Sequence, residues 1–296
     1  MLIEVKGNSG CSINIVEHDN KLTVHKSTFD SNYVKRLVTQ ANKQKNAALT
    51  ANIEVPKIHS VTTSDSSATV VMDYIHAKNF VDFIEQSPIS AIDDFTKSII
   101  AYIDNEIKSS HEETIHSNVF TDKIRSIEHN SEANSYVTNK TFYLLKEASE
   151  VFKQCGDIKL PVGICHGDLT LSNILFSSNK YYLIDFLDSF IETPIQDIVK
   201  LRQDTSLLWS LQMYDKAYDK IRINTVLDYI DDAINDHFST TCEYYKNSYD
   251  YIQLINILRI VPYAKSQAVA EYLENTLTSL LGNLKWVIDT IWLYLW

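Results

Sequence analysis

The chain has 296 residues, of which 45% are hydrophobic and 22% charged, a composition that excludes disorder, a collagen-like repeat and a coiled coil. Its 27 Lys and Arg against 38 Asp and Glu give a net charge of −11, which argues against a partner gripped by its nucleic-acid phosphates. This length exceeds what one hydrophobic core usually encloses and predicts two lobes.

In chain order, Leu2–Lys6, Ser12–Glu17 and Lys21–Lys26 show the partial alternation of strands, with Asp19-Asn20 as the turn between the last two. From Asp30 to Ala51 no Gly or Pro intervenes, and Val34, Leu37, Val38, Ala41, Ala48 and Leu49 recur at helical spacing. Pro56 ends that element, and Lys57–Val61 and Ala68–Ile75 return to strand. Residues 1–75 therefore read as a small β-rich lobe around one helix, and residues 76–296 as a larger, mainly helical lobe. In the second lobe Phe80–Gln86, Ala91–Ser109 and Tyr136–Gln154 carry helical patterns, and His111–Asn134 is polar enough to be expected mobile. A β-like block spans Gly163–Asp185, and helices follow from Ile195 onward. The apolar Trp286–Trp296 is too short for a bilayer, which needs about 20 apolar residues, and reads as a buried final helix.

Four scattered cysteines (Cys11, Cys155, Cys165 and Cys242) match neither a disulfide framework nor a zinc site, and the N-terminus lacks a signal-peptide core. These features predict a cytoplasmic protein without a membrane span; nothing in them sets the oligomeric state. Only 6 glycines occur, so Gly7 with Gly10, and Gly163 with Gly167, mark places where the backbone takes positive φ or approaches something closely.

The chemistry is concentrated in Cys165-His166-Gly167-Asp168-Leu169-Thr170-Leu171-Ser172-Asn173 and in Tyr182-Leu183-Ile184-Asp185-Phe186. An Asp, an Asn five residues on and an Asp twelve further suit phosphoryl transfer, which needs mainly positioning and charge neutralisation. One carboxylate orients an attacking hydroxyl and takes its proton; a carboxamide and a second carboxylate are oxygen donors for hard Mg²⁺ ions on the nucleotide phosphates.

These motifs resemble those of aminoglycoside phosphotransferase and choline kinase-like enzymes, small-molecule kinases with a protein-kinase-like fold. The resemblance implies an α+β, bilobal architecture, ATP (or GTP) with Mg²⁺ between the lobes, and transfer of the γ-phosphoryl group to a small-molecule hydroxyl. It implies Asp168 as the catalytic base, Asn173 and Asp185 as magnesium ligands, and His166 and Asp197 as structural supports. Lys26 resembles the strand lysine that grips the phosphates, and Ser9, Gly10 and Ser12 lie in the loop that would fold over them. Val70–Ile75 resembles the interlobe hinge, with Met72 at the gatekeeper position and Asp73 and Ile75 reading the adenine edge.

Two departures from the family pattern stand out. No Glu occurs between Asp30 and Asn52 to pair with Lys26, leaving Gln40 or Gln44 to face it, and Thr170-Leu171-Ser172 replaces the usual loop residues. The first departure raises the alternative of a catalytically impaired pseudokinase serving as a nucleotide-binding or regulatory module. The short segment between Asp185 and Pro194 favours a small acceptor over a protein. Asp188, Asp204 and Trp209 are candidate acceptor residues suited to a cation such as an aminoglycoside or amino alcohol. Arg259, with Arg202 and Lys265, suits an anion such as a sugar phosphate instead. Likeness to family members of surface-polysaccharide synthesis favours a sugar or sugar-derivative hydroxyl.

Overall fold

The computed structural model describes residues 2–5, 11–47, 49–178 and 180–294. An antiparallel sheet opens the chain, with strands β1 (Leu2–Val5), β2 (Ser12–His18), β3 (Lys21–Thr28), β5 (Ile58–Thr63) and β6 (Ala68–Asp73) in the order β1-β2-β3-β6-β5. Asp19 and Asn20 both take positive φ, 50° and 60°, the backbone of a two-residue hairpin whose twist matches its strands, and His18 pairs with Lys21 across it. Helix α1 (Ser31–Lys45) starts at Asp30, whose carboxylate accepts the Asn32 N–H. Its Leu37 and Ala41 pack on Cys11, Ala68, Val70 and Met72 to form the small core under the sheet.

The expected helix over Asp30–Ala51 stops six residues early, because the chain turns at Asn46 to place β4 (Ile53–Glu54) beside β10 (Lys180–Leu183). Tyr181 N–H donates to Asn52 O at 2.9 Å on the same seam. The segment after α1 thus pairs with the C-terminal part of the molecule and ties the two regions together.

After β6 the chain becomes mainly helical, with α2 (Phe80–Gln86), α3 (Ile89–Lys108), β7 (His111–Ile115), α4 (Ser117–Ser131), α5 (Asn139–Cys155) and β8 (Ile158–Val162) in order. The loop after β8 leads into β9 (Ile174–Ser177) and β10, followed by α6 (Pro194–Thr205), α7 (Lys220–Thr241), α8 (Glu243–Leu258) and α9 (Gln267–Tyr294). One large apolar core joins these elements. Within it Phe83, Phe95, Phe176 and Tyr181 meet at centroid distances of 4.2 to 6.2 Å. That cluster clamps β9 and β10 against α2 and α3.

His111–Asn134 is not the loose stretch its polarity predicts. β7 pairs with β8 in register His111↔Val162, and Phe120, Ile124 and Ile127 of α4 are buried, a helical stripe hidden among polar neighbours. The expected final helix is present as backbone to Tyr294. The environment of its side chains from Trp286 on, which would decide whether it is buried, lies outside what the structure describes. Among the described residues no helix is long and apolar enough to cross a membrane.

Candidate active site

The site is a loop with little secondary structure of its own, held in shape by the helix behind it. On α6, Asp197, Lys200 and Asp204 stand at i, i+3 and i+7, the spacing of one helix face, and all three engage the loop. Asp197 is fully buried and accepts the His166 N–H at 2.5 Å and the Gly167 N–H at 2.7 Å. Asp204 accepts the Leu171 N–H at 2.7 Å, and also the N–H and hydroxyl of Ser210. Lys200 Nζ lies 3.0 Å from Asp168 Oδ1. Burial pushes the carboxyl of Asp197 up to about 7 and that of Asp204 to about 6, against the pull of these N–H donors.

Gly167 turns the loop at φ +86°, and a Cβ there would collide with the Leu187 carbonyl oxygen and crowd Ser189 and Lys43. Only glycine fits so close a crossing of two chains. His166 is buried against Phe186, and its ring joins the loop to β10's exit. Nε2 lies 2.9 Å from Ile184 O, while Nδ1 accepts the Asp168 N–H at 3.2 Å. That pattern requires the neutral ring, and burial lowers its pKa to about 4.

Asp168 is half-buried. Burial opposes its ionisation, but the charge and hydrogen bond of Lys200 outweigh that and hold its pKa below the ordinary carboxylate value. Asn173 Nδ2 donates to Asp168 Oδ2 at 3.0 Å and to Asp168 O at 2.8 Å, and among the described residues no hydrogen bond engages Asn173 Oδ1. Asp185 follows with φ 59°, a left-handed backbone that an Asp adopts only where its surroundings impose it. Its Oδ1 is 2.9 Å from the Nζ of Lys26, which is buried in β3.

Two cavities meet at these groups. One, of about 320 Å³, is lined by Ile13, Ile15, Val24, Met72, Leu175 and Phe186 among others, and Asp73, Tyr74 and Ile75 also border it. The other, of about 750 Å³, contains Lys26, Asp168, Asn173, Asp185, Lys200 and Trp209. Gln40 and Gln44 of α1 line the apolar cavity together with Lys26. Gln44 is committed to Pro56 O at 2.8 Å, whereas Gln40 Oε1 is buried with no hydrogen-bond partner among the described residues. Helix α1 instead reaches the segment after Asp185 through cations: Lys43 Nζ to Glu192 and to Leu187 O, both at 2.5 Å, and Arg36 to Asp188 at 2.8 Å.

The structure brings together Lys26, Met72, Asp73, Ile75, Asp168, Asn173 and Asp185, with His166 and Asp197 beneath them. Ser9 and Gly10 lie outside the described residues. Ser12 is a correction: it alternates with Ile13 and Ile15, which line the cavity, so its side chain faces away, toward Ser27 O. Asp204 is a second, since its carboxylate is buried and fully occupied by the loop and Ser210. Of the other acceptor candidates, Asp188, Trp209 and Arg259 do line cavities at Asp168. Arg202 is spent on Asp231, Asn235 and Tyr245, and Lys265 is exposed elsewhere. Sequence reasoning missed Lys200, Arg36 and Lys43, lone cations on helices whose partners are distant in the chain.

The phosphotransferase enzyme family profile matches residues 123–220, the segment that holds the catalytic loop and α6. No curated protein matches the chain. Among solved structures, a protein from Haemophilus somnus 129PT assigned as a fructosamine-3-kinase superposes with TM-score 0.60 at 12% identity, covering 95% of this chain and 91% of its own. Aminoglycoside phosphotransferase APH(4)-Ia, in a ternary complex with AMP-PNP and hygromycin B, superposes with TM-score 0.59 at 10% identity over 95% and 93%. Amicoumacin kinase hAmiN, bound to AMP-PNP and Ca²⁺, gives 0.57 at 11% over 95% and 88%. The fold is that of the small-molecule kinases. The resemblance read from the catalytic loop is thus matched by a family segment of the sequence and by the path of nearly the whole chain.

Proposed function

We propose that the protein is a small-molecule kinase that transfers the γ-phosphoryl group of ATP to an acceptor hydroxyl. The observation that carries this reading is the juxtaposition of Asp168, Asn173, Asp185, Lys26 and Lys200 around one cavity, beside an apolar slot of adenine size. Met72 closes the back of the slot, and Asp73 and Ile75 offer backbone groups beside it.

Asp168 is the base. Held ionised by Lys200, it accepts a hydrogen bond from the acceptor hydroxyl, aims its oxygen at the γ-phosphorus and takes the proton as the bond forms. Asn173 fixes the carboxylate through Nδ2. Asn173 Oδ1 and Asp185 form a pair of oxygen donors suited to Mg²⁺, which keeps most of its coordination for water and phosphate oxygens. Among the described residues no cluster of three or more His, Cys, Asp or Glu builds an all-protein metal cage, consistent with a metal carried on the nucleotide. When bound, Mg²⁺ neutralises the phosphate charge. Lys26 holds Asp185 and reaches the phosphates from β3, and Lys200 provides positive charge beside the transferring group.

The acceptor class is a hydroxylated small molecule: a sugar or sugar derivative, an aminoglycoside or an amino alcohol. The short connection from Asp185 to α6 leaves no peptide-seating segment. The alternative, a nucleotide-binding module without turnover, draws on the neutral Gln40 where the family has a glutamate. Single-turnover transfer from γ-labelled ATP to a panel of hydroxyl acceptors separates the two. The kinase reading expects a labelled product with the wild type and none with Asp168→Asn; a wild type that binds ATP but labels no acceptor would leave the module.

A further inference from the structure

A third cavity, of about 500 Å³, shares Arg36, Asp168 and Lys200 with the second and lies between α4, the end of α8 and the segment 187–190. Its lining holds four cations, Arg36, Lys123, Lys200 and Arg259, against two acids, Asp168 and Asp188. Both acids are already paired, Asp168 with Lys200 at 3.0 Å and Asp188 with Arg36 at 2.8 Å. Lys123 and Arg259 have no carboxylate within ion-pair distance among the described residues. Lys123 lies 5.4 Å from the centroid of the Phe190 ring, and both side chains are partly buried.

In a chain of net charge −11, two unpaired cations sharing one cavity are a costly arrangement. Burial lowers the pKa of both, and the charge of Arg259 lowers that of Lys123 further. The two acids of this lining already answer its cations: Asp168 is held by Lys200 and Asp188 by Arg36, and both favour the charged form of Arg259. Asp204 is consumed by the catalytic loop and Asp231 by Arg202, while Asp228, Asp232 and Asp236 sit on the exposed face of α7. Asn130, Ser189, Asn256 and Tyr263 add polar groups to the lining, and the volume falls within the usual range for a small-molecule site.

We infer that the acceptor is an anion, a hydroxylated molecule whose carboxylate or phosphate monoester is held by Lys123 and Arg259 while its hydroxyl meets Asp168. The hydroxyl end of this assignment rests on the kinase reading above; the anion end rests on the two unpaired cations alone. A cationic aminoglycoside would meet repulsion in this cavity where an anion finds its counter-charges.

Calorimetric titration of the full chain with D-gluconate, glucose 6-phosphate, glucose and kanamycin tests the inference, without nucleotide and again with saturating Mg²⁺–AMP-PNP. At least one of the two anions is expected to bind about tenfold more tightly than glucose, with kanamycin weakest. Whichever anion binds tells carboxylate from phosphate recognition. Lys123→Gln combined with Arg259→Gln is expected to weaken that anion about tenfold and to leave AMP-PNP affinity and the melting temperature in place. Glucose or kanamycin binding as well as both anions would overturn the inference, as would anion affinity indifferent to the double substitution. A parallel loss of AMP-PNP affinity would assign the two cations to the nucleotide and overturn it too. Failure of the kinase reading looks different: anion binding lost in the double variant, with no AMP-PNP binding to the wild type.

Discussion

Two helices brace the loop around Asp168 and the segment after Asp185, and they do so by different means. Helix α6 works through buried carboxylates that accept backbone N–H groups of the loop, Asp197 from His166 and Gly167 and Asp204 from Leu171. Helix α1 works through long cationic side chains, Lys43 and Arg36, which reach Glu192, Leu187 O and Asp188 on the segment after Asp185. Backbone bonds in a dry interior fix geometry rigidly, whereas ion pairs with half-exposed partners are screened and adjustable. Asp168 thus sits on a rigid support, while α1 is joined to the segment after Asp185 by contacts that can yield.

The largest effect tests the base itself. Asp168→Asn keeps the Asn173 contact possible but removes the proton acceptor, and turnover is expected to fall about a thousandfold with ATP affinity retained. Steady-state kinetics with a parallel binding titration would check it. Next is the α6 support: Asp197→Ala strips two buried N–H groups of their acceptor and should cost about 3 kcal/mol of stability, read by urea denaturation. A loss of only a few tenths would mean that the loop does not depend on α6.

The pH dependence sharpens the same point. His166 titrates at about 4 in the fold against an ordinary 6.5. The unfolded chain therefore takes up the proton first as pH falls. Its contribution is intact above pH 6.5 and about 3 kcal/mol is lost as pH drops toward 4. Asp197, raised from 3.8 to about 7, has the opposite sign: the fold keeps the proton that the unfolded chain has released, so its contribution declines as pH rises between those values. The clean readout is the difference between wild type and His166→Gln, which should shrink the acid loss by about that amount; equal pH profiles would contradict a buried neutral ring.

Smaller effects probe the cations. Lys200→Met removes the charge that keeps Asp168 ionised, so the acid limb of the kcat/KM profile should move to higher pH, with a loss of about tenfold at neutral pH. A uniform loss without a moved limb would leave Lys200 a merely structural contact. On the α1 side, Arg36→Ala should change stability by well under 1 kcal/mol, since both partners of that pair are half-exposed. A larger loss would erase the contrast between the helices.

The catalytic loop was legible because its chemistry is local. Asp168, Asn173 and Asp185 stand at fixed spacing within two short segments, and the Asp19-Asn20 hairpin is equally local. The supporting face of α6 was only partly legible. Asp197, Lys200 and Asp204 share one stripe, but polar residues at i, i+3 and i+7 look the same whether they face solvent or a loop in need of acceptors. Asp204 therefore reads from the sequence as an acceptor residue, whereas in the fold it braces the backbone. The α4 stripe of Phe120, Ile124 and Ile127 was masked by polar neighbours in the same segment. Lys123 and Arg259 lie far apart in sequence, and only the packing of α4 against the end of α8 makes them one feature.

The proposed seat of nucleotide and metal lies between the two regions, at Lys26, Asn173 and Asp185. It is tested most directly by calorimetric titration of ATP onto the wild type and Asp185→Ala, with and without Mg²⁺. Magnesium-dependent binding is expected with the wild type, and the substitution is expected to abolish it. ATP binding indifferent to both magnesium and Asp185, or no binding at all, would contradict it.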